Sequence, residues 1–106
     1  MNINIKTDLW HYLAKSTRPI VMYGMGNGAD KVIKMCEKNN ILVSDFYASD
    51  AFVRGQQFHG KTVMTYDQIR EKYGDGNFIS LLSFATRLPD VIETIKKIAS
   101  ENELYA

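Results

Sequence analysis

A glycine-rich segment near the start of the chain has the spacing of a turn that binds phosphate groups. Gly24, Gly26 and Ala29 match the pattern G-x-G-x-x-G/A. In such a turn the first glycine lets the chain bend sharply, the second leaves room for a pyrophosphate, and the third small residue lets helix and strand pack closely. The helix that follows offers free N–H groups and a partial positive charge. We therefore predict a cofactor-binding segment that comprises Gly24, Met25, Gly26, Asn27, Gly28 and Ala29.

The residues on either side of this turn predict the strand and the helix that it needs. Residues 20–23 are all apolar, which is typical of a short strand buried on both faces. Val32, Ile33 and Cys36 follow Ala29 at helical spacing, and the predicted helix ends near Lys38. The alternative is that the glycines make only a tight strand-to-helix turn and bind no ligand.

An acidic residue at the end of the next strand would complete a dinucleotide site, because it can bind the ribose hydroxyls. Residues 41–48 predict that strand, and Asp50 follows it. We choose Asp50, although it lies somewhat further from the glycines than the usual distance of about 20 residues. Asp45 is the second candidate and is expected on an exposed or edge strand. Either acid could instead be a solvated loop residue.

The other segments predict a sheet with helices around it. A helix capped by Thr7 or Asp8 and ending near residue 15 is expected to cover one sheet face or to offer a surface to a partner, and residues 51–61 are expected to form a loop. A short third strand over residues 62–64 leads to a helix whose first residues, Thr65 and Gln68, have the spacing of a capping box.

The last third of the chain predicts a central strand and a final helix. Residues 78–84 are strongly apolar, as expected of a central parallel strand. Ser83 and Thr86 lie at its carboxyl end, where open α/β sheets bind ligands, so we predict that both contact the ligand. Pro89 suits the first turn of the last helix. The buried stripe of that helix is predicted at Val91, Ile92, Ile95, Ile98 and Ala99.

This alternation of strands and helices predicts an α/β fold, a three-layer α/β/α Rossmann-like domain with a parallel sheet of about four strands. The 106 residues suit one domain, with a leading helix in residues 1–18 and a nucleotide-binding-type core in residues 19–106. Two apolar residues close to the end of the chain suggest a fragment of a longer protein.

Composition limits the partners. A net charge of +1 does not favour nucleic acid or an anionic membrane. One cysteine excludes an internal disulfide, and Cys36 is expected in the core. One cysteine and two histidines do not form a zinc site, and His59 has no evident partner. Without a long apolar run or a signal peptide, the predicted location is cytoplasmic.

Several segments together resemble a known family. They are residues 23–31 (Tyr-Gly-Met-Gly-Asn-Gly-Ala-Asp-Lys), 48–50 (Ala-Ser-Asp), 52–55 (Phe-Val-Arg-Gly), 59–63 (His-Gly-Lys-Thr-Val) and 98–105 (Ile-Ala-Ser-Glu-Asn-Glu-Leu-Tyr). They resemble the Rossmann-like N-terminal domain that precedes the catalytic domain in some FkbM-family methyltransferases. The architecture is also similar to nucleotide-binding domains of sugar-nucleotide-modifying proteins. The resemblance covers nearly the whole chain.

This resemblance implies that the glycine turn cradles a nucleotide, with Gly24, Gly26, Ala29 and Asp50 carried over from the family pattern. No stretch matches the catalytic domain, so methyl transfer and S-adenosylmethionine are implied only for an attached domain.

Three functional hypotheses follow. The first is a module that binds NAD(P) or another nucleotide-containing ligand, serves a covalently attached catalytic domain and has no catalytic residues of its own. The alternative is a structural or homodimerisation domain with an empty glycine turn. The third, a small self-sufficient dehydrogenase or transferase, is weakest because no acid–base pair stands out. The sequence does not choose among NAD, NADP, a nucleotide-sugar, coenzyme A and S-adenosylmethionine.

Overall fold

A parallel sheet organises the protein, and the computed structural model describes residues 10, 12–84 and 87–105. Residues 10 and 12–14 are helical, whereas the predicted start of that helix lies outside the described residues. The elements that follow are β1 (Ile20–Tyr23), α1 (Asn27–Lys38), β2 (Val43–Tyr47), a 3-10 turn (Asp50–Phe52), β3 (Gln57–Phe58), β4 (Lys61–Thr62), α2 (Tyr66–Tyr73), β5 (Ile79–Leu82), α3 (Pro89–Glu101) and β6 (Glu103–Tyr105).

The main sheet has four strands in the order β2-β1-β5-β6, and every neighbouring pair is parallel. This confirms the predicted Rossmann-like α/β fold. The chain moves from β1 to β2 on one side and then crosses to β5 on the other side of β1. The boundary between β1 and β5 is therefore the topological switch point, where open α/β sheets bind ligands beyond the carboxyl ends of their strands.

Helical layers cover both faces of this sheet, because alternate residues of each strand point to opposite faces. One apolar cluster joins the sheet to α1 and the leading helical residues, and the other joins it to α2 and α3. The first includes Ile20, Met22, Ala29 and Cys36, and the second includes Val21, Tyr23, Ile69 and Ile98. The three layers are as predicted, and the core position of Cys36 is confirmed.

The fourth strand of the sheet is not the one that the sequence predicts. Of the predicted third strand, residues 62–64, Met64 forms only an isolated parallel bridge to Tyr47. The fourth place is taken by β6, which pairs with β5 in a stretch for which the sequence predicts no strand. Glu103 of β6 is held by Arg18, whose Nη2 lies 2.6 Å from the carboxylate. Distant residues therefore create this strand.

The predicted loop over residues 51–61 contains more structure than expected. Besides the 3-10 turn, it includes most of an antiparallel hairpin, formed by β3 and β4. Its turn residues, His59 and Gly60, have φ values of 51° and 78°. Two consecutive positive φ values are the signature of the type I′ turn that suits two-residue hairpin loops.

β2 is an edge strand, as predicted, but Asp45 within it is buried. A register irregularity opposite Ile20 and Val21 adds a residue to β2. Asp45 reaches α2, where Lys72 donates to its carboxylate at 2.7 Å and the Tyr73 hydroxyl also donates to it. Burial alone would raise the pKa of Asp45, but these two hydrogen bonds bring it below its ordinary value.

Helix boundaries were better predicted. Thr65 and Gln68 form both hydrogen bonds of the capping box at the start of α2, and Pro89 lies in the first turn of α3. In α3 Ile98 is fully buried, but Ala99 is exposed, so its place in the buried stripe was wrong. Among the helices of the described segments, none is both long and apolar enough to cross a membrane.

Candidate ligand cleft at the carboxyl end of the sheet

The glycine turn begins at Gly24, directly after β1. The Gly24 N–H donates to the carbonyl of Tyr47 at 2.8 Å, which holds the turn beside the end of β2. Its φ of 120° strongly disfavours any side chain. A Cβ at this position would also lie 2.7 Å from the Phe84 ring and closer still to the Ser83 hydroxyl. Glycine is therefore required here by both backbone conformation and packing.

Gly28 is required by packing alone. It lies in the first turn of α1, and a Cβ there would approach the carbonyl oxygen of Ser83 to less than 3.0 Å. Ser83 is buried, and its N–H and hydroxyl donate to the Tyr23 carbonyl at 3.1 and 3.0 Å. The hydroxyl that we predicted to contact a ligand thus donates within the protein and joins the ends of β1 and β5.

Gly26 differs from both neighbours because space is open around it. It caps α1 with a φ of 97°, and nothing lies within 4 Å of a Cβ built there. As a glycine it has no side chain with which to cap the helix, whose first N–H groups begin at Asn27. Ala29 is fully buried, as close packing of helix on strand requires. The open backbone at Gly26 is the place where the sequence predicts a phosphate.

A cleft of about 730 Å³ opens beyond the carboxyl ends of β1 and β2. The residues that shape it include Tyr23, Ser49, Asp50, Tyr66, Leu88 and Val91. An apolar slot of about 260 Å³ adjoins it and shares part of its wall. The slot lies against the backbone of Gly24 and Met25 and is bordered by Phe52 and Phe84. The structure thus places the start of the glycine turn and Asp50 around one connected space.

Buried phenols form the floor of this cleft. The hydroxyls of Tyr23 and Ser49 are 2.6 Å apart, and the Tyr23 ring stacks on Tyr47 with centroids 4.7 Å apart. Burial raises the pKa of Tyr23 above its ordinary value and that of Tyr66 to about 12. Both phenols therefore stay protonated at neutral pH. The Tyr23 hydroxyl bonds to that of Ser49. The Tyr66 hydroxyl donates to Glu101 at 3.0 Å and accepts from Asn102 at 2.9 Å. Both phenols thus bond within the protein and offer a ligand ring surface rather than a free hydroxyl or a base.

Two other residues were predicted for the site, Asp45 and Thr86. Asp45 bonds to α2 and does not line the cleft. Thr86 lies outside the described residues.

His59, for which we expected no partner, lies 2.6 Å from a carboxylate oxygen of Asp30 through its Nε2 and stacks on Phe46. That expectation was wrong, because the partner is on α1. The contact joins the β3–β4 hairpin to α1, and neither residue lines the cleft or the slot.

Sequence reasoning missed several residues that line the cleft and the slot. Tyr23 ends β1, Ser49 precedes Asp50, Phe52 ends the 3-10 turn, and Leu88 precedes Pro89. Each follows or lies near the carboxyl end of a parallel strand, which is where a ligand is expected. That topological position was the available signal. The apolar or aromatic character of Tyr23, Phe52 and Leu88 resembled ordinary core composition, and Ser49 resembled a loop residue.

In the part of the chain that the structure describes, no three potential metal ligands among His, Cys, Asp and Glu are grouped to hold an ion. Comparison of the sequence and structure with protein-family models, curated proteins and solved structures finds no match. The functional proposal therefore depends on the geometry of the cleft.

Proposed function

We propose that the protein is a binding module for a nucleotide-type small molecule held at the carboxyl end of its sheet. One observation carries the proposal. The cleft and the slot share wall residues at the ends of β1 and β2, with Gly24 and Met25 of the glycine turn lining the slot and Asp50 lining the cleft. The volume of the cleft lies within the range of about 300–1,000 Å³ typical of small-molecule sites.

Groups in and beside this space suit different parts of such a ligand. The open backbone at Gly26, which directly follows Met25 of the slot wall but does not itself line the slot or the cleft, can receive a phosphate at the N-terminus of α1. The exposed carboxylate of Asp50 can accept hydrogen bonds from ribose hydroxyls. We propose NAD(P) or another nucleotide-containing molecule as the ligand class. The accessory role beside an FkbM-type catalytic domain, with S-adenosylmethionine bound there, and the cytoplasmic location stay predictions from the sequence.

A thermal-shift screen tests this function, with NAD, NADP, a nucleotide-sugar, coenzyme A and S-adenosylmethionine each at millimolar concentration. A ligand at 100 times its dissociation constant stabilises the folded state by about 2.7 kcal/mol. In a domain of this size the melting temperature then rises on the order of ten degrees. We expect such a rise with at least one ligand. Flat curves with all five, together with no binding of simple nucleosides and nucleotides, would contradict the proposal.

Variants locate the binding. Gly26→Ala places a methyl group in the open space and should abolish the ligand-dependent rise, whereas Gly60→Ala, which also adds a side chain at an open position with positive φ, should keep it. Asp50→Asn should reduce the rise without backbone strain. Glu93→Gln, an exposed acid on α3 outside the lining of the cleft and the slot, is its control. Equal ligand effects in all four variants would place binding elsewhere.

A structural or dimerisation domain is the second candidate, and one specific observation favours it. Gly24 and Gly28 are both accounted for by packing against Ser83 and its neighbour, with no ligand needed. This alternative predicts no ligand-dependent stabilisation and a dimer in sedimentation velocity. A ligand-responsive monomer would exclude it.

A further inference from the structure

Two large apolar side chains are exposed at the same place on the surface. Phe52 is 50% exposed and Leu88 is 58% exposed, and both line the slot as well as the cleft. Scattered apolar side chains on a surface need no explanation, whereas apolar side chains that share one concave space indicate a binding surface.

The floor of the slot is aromatic. The rings of Tyr23 and Phe84 meet edge to face, with centroids 5.1 Å apart and an interplanar angle of 89°. With Phe52 on the wall, the slot offers ring surface from more than one direction. Its volume of about 260 Å³ suits one flat ring system and does not suit a whole dinucleotide. Flat aromatic rings stack favourably on such side chains.

Charged groups lie in the adjoining part of the cleft and are mainly acidic. Among the described residues, Asp50, Asp67 and Asp90 line it, against a single basic side chain, Lys97. The carboxylates can accept hydrogen bonds from hydroxyl groups. They repel additional negative charges at close range, and the repulsion is stronger where water is excluded. A di- or triphosphate extending along this wall is therefore disfavoured.

We propose that the slot takes the flat ring of a nucleoside-type ligand, and that this ligand carries one phosphate or none. The inference rests on the proposed function and narrows it to a chemical class. The ring lies between Phe52 and Leu88, the sugar hydroxyls face Asp50, and a single phosphate reaches the open backbone at Gly26. NAD(P), nucleotide-sugars and coenzyme A are then poorer ligands than nucleosides or their monophosphates.

Calorimetric titration of the full chain tests both parts of the proposal. The probes are adenosine, AMP and ATP, and the matched series uridine, UMP and UTP, in EDTA so that the phosphates keep their charge. In the series whose base fits the slot, we expect the nucleoside or the monophosphate to bind at least as tightly as the triphosphate. Raising the salt concentration should reduce the difference in affinity between the monophosphate and the triphosphate, because salt screens the charges of the carboxylates.

The Phe52→Ala variant tests the position of the ring. Losing one aromatic stacking partner should weaken binding of the best probe about fivefold or more. Leu42→Ala is the matched control, since Leu42 is 81% exposed and does not line the cleft or the slot. It should leave the affinity unchanged.

The possible failures are distinguishable. If a triphosphate bound most tightly, the inference that the ligand carries at most one phosphate would be wrong, and the proposed function would still stand. Unchanged affinity in Phe52→Ala would overturn the ring position. If no probe binds and the five-ligand screen is also flat, the proposed function fails together with this inference.

Discussion

The substitution Gly28→Ala separates packing from helix propensity, because the two effects have opposite signs at this position. Alanine is a better helix former than glycine by up to about 1 kcal/mol, so propensity alone predicts a more stable protein. The new Cβ, however, would lie under 3.0 Å from the Ser83 carbonyl oxygen, where ordinary contact requires 3.4–4 Å. The atom in the way belongs to the backbone, which cannot turn aside as a flexible side chain would.

Helix α1 must therefore move away from the end of β5 to accommodate the methyl group. Overpacking of this kind usually destabilises by about 1–3 kcal/mol, and a close clash with backbone belongs to the upper part of that range, which exceeds the gain from propensity. We expect the free energy of unfolding to fall by about 1–2 kcal/mol and the melting temperature by on the order of ten degrees. Urea unfolding followed by circular dichroism measures the change. A midpoint equal to or above that of the unsubstituted protein would refute this account of the junction between β1, α1 and β5.

Two further predictions concern ionisable groups. Burial raises the pKa of the Cys36 thiol to about 11, so a thiol reagent at pH 8 should label the native protein only very slowly and label it fully in urea; rapid native labelling would contradict the buried position. The hydrogen bonds from Arg70 and then Asn102 lower the pKa of Asp75 to about 2, from an ordinary 3.8. Because the pKa is depressed in the folded state, the stabilisation is present above about pH 4 and is lost as the pH falls toward 2. Stability measured across that window should decline less steeply in Asp75→Asn, and an identical decline in both proteins would contradict this.

Elements specified by neighbouring residues could be predicted from the sequence. The strand over residues 20–23, the glycine turn and the helix ending at Lys38 form one local unit, and all lie where expected. The capping box of Thr65 and Gln68 is likewise local. The order of the strands could not be predicted from local sequence, because it depends on the pairing of β5 with the side of β1 opposite β2.

Elements specified by distant residues could not be predicted. β6 exists because β5 offers it a pairing edge and Arg18 holds Glu103 across a long separation in sequence. Asp45 is acceptable in a buried position only because α2 brings Lys72 to it.

In the β3–β4 hairpin, His59 occupies a position where asparagine would be the recognisable residue, so the turn signal was weak. Its partner Asp30 comes from α1.

The position of the candidate site was predictable from the sequence, but most of the side chains that line it were not. The glycine turn and Asp50 follow from general rules for parallel sheets. The carboxyl-end rule also favoured Ser83, but its bond to the Tyr23 carbonyl depends on the pairing of β1 with β5. The contribution of Leu88 depends on how α3 returns to the sheet.

A two-dimensional NMR titration of the backbone amides with AMP and with NAD tests the central claim most directly, because it locates binding as well as detecting it. We predict progressive, saturable shifts of the Gly24, Gly26 and Asp50 amides. The amide of Leu104, at the far edge of the sheet, should stay unchanged and serves as the internal control. A nucleotide-type site in this cleft would be contradicted if neither AMP nor NAD shifted any amide at millimolar concentration. It would also be contradicted if the only shifts were at residues away from the carboxyl end of the sheet.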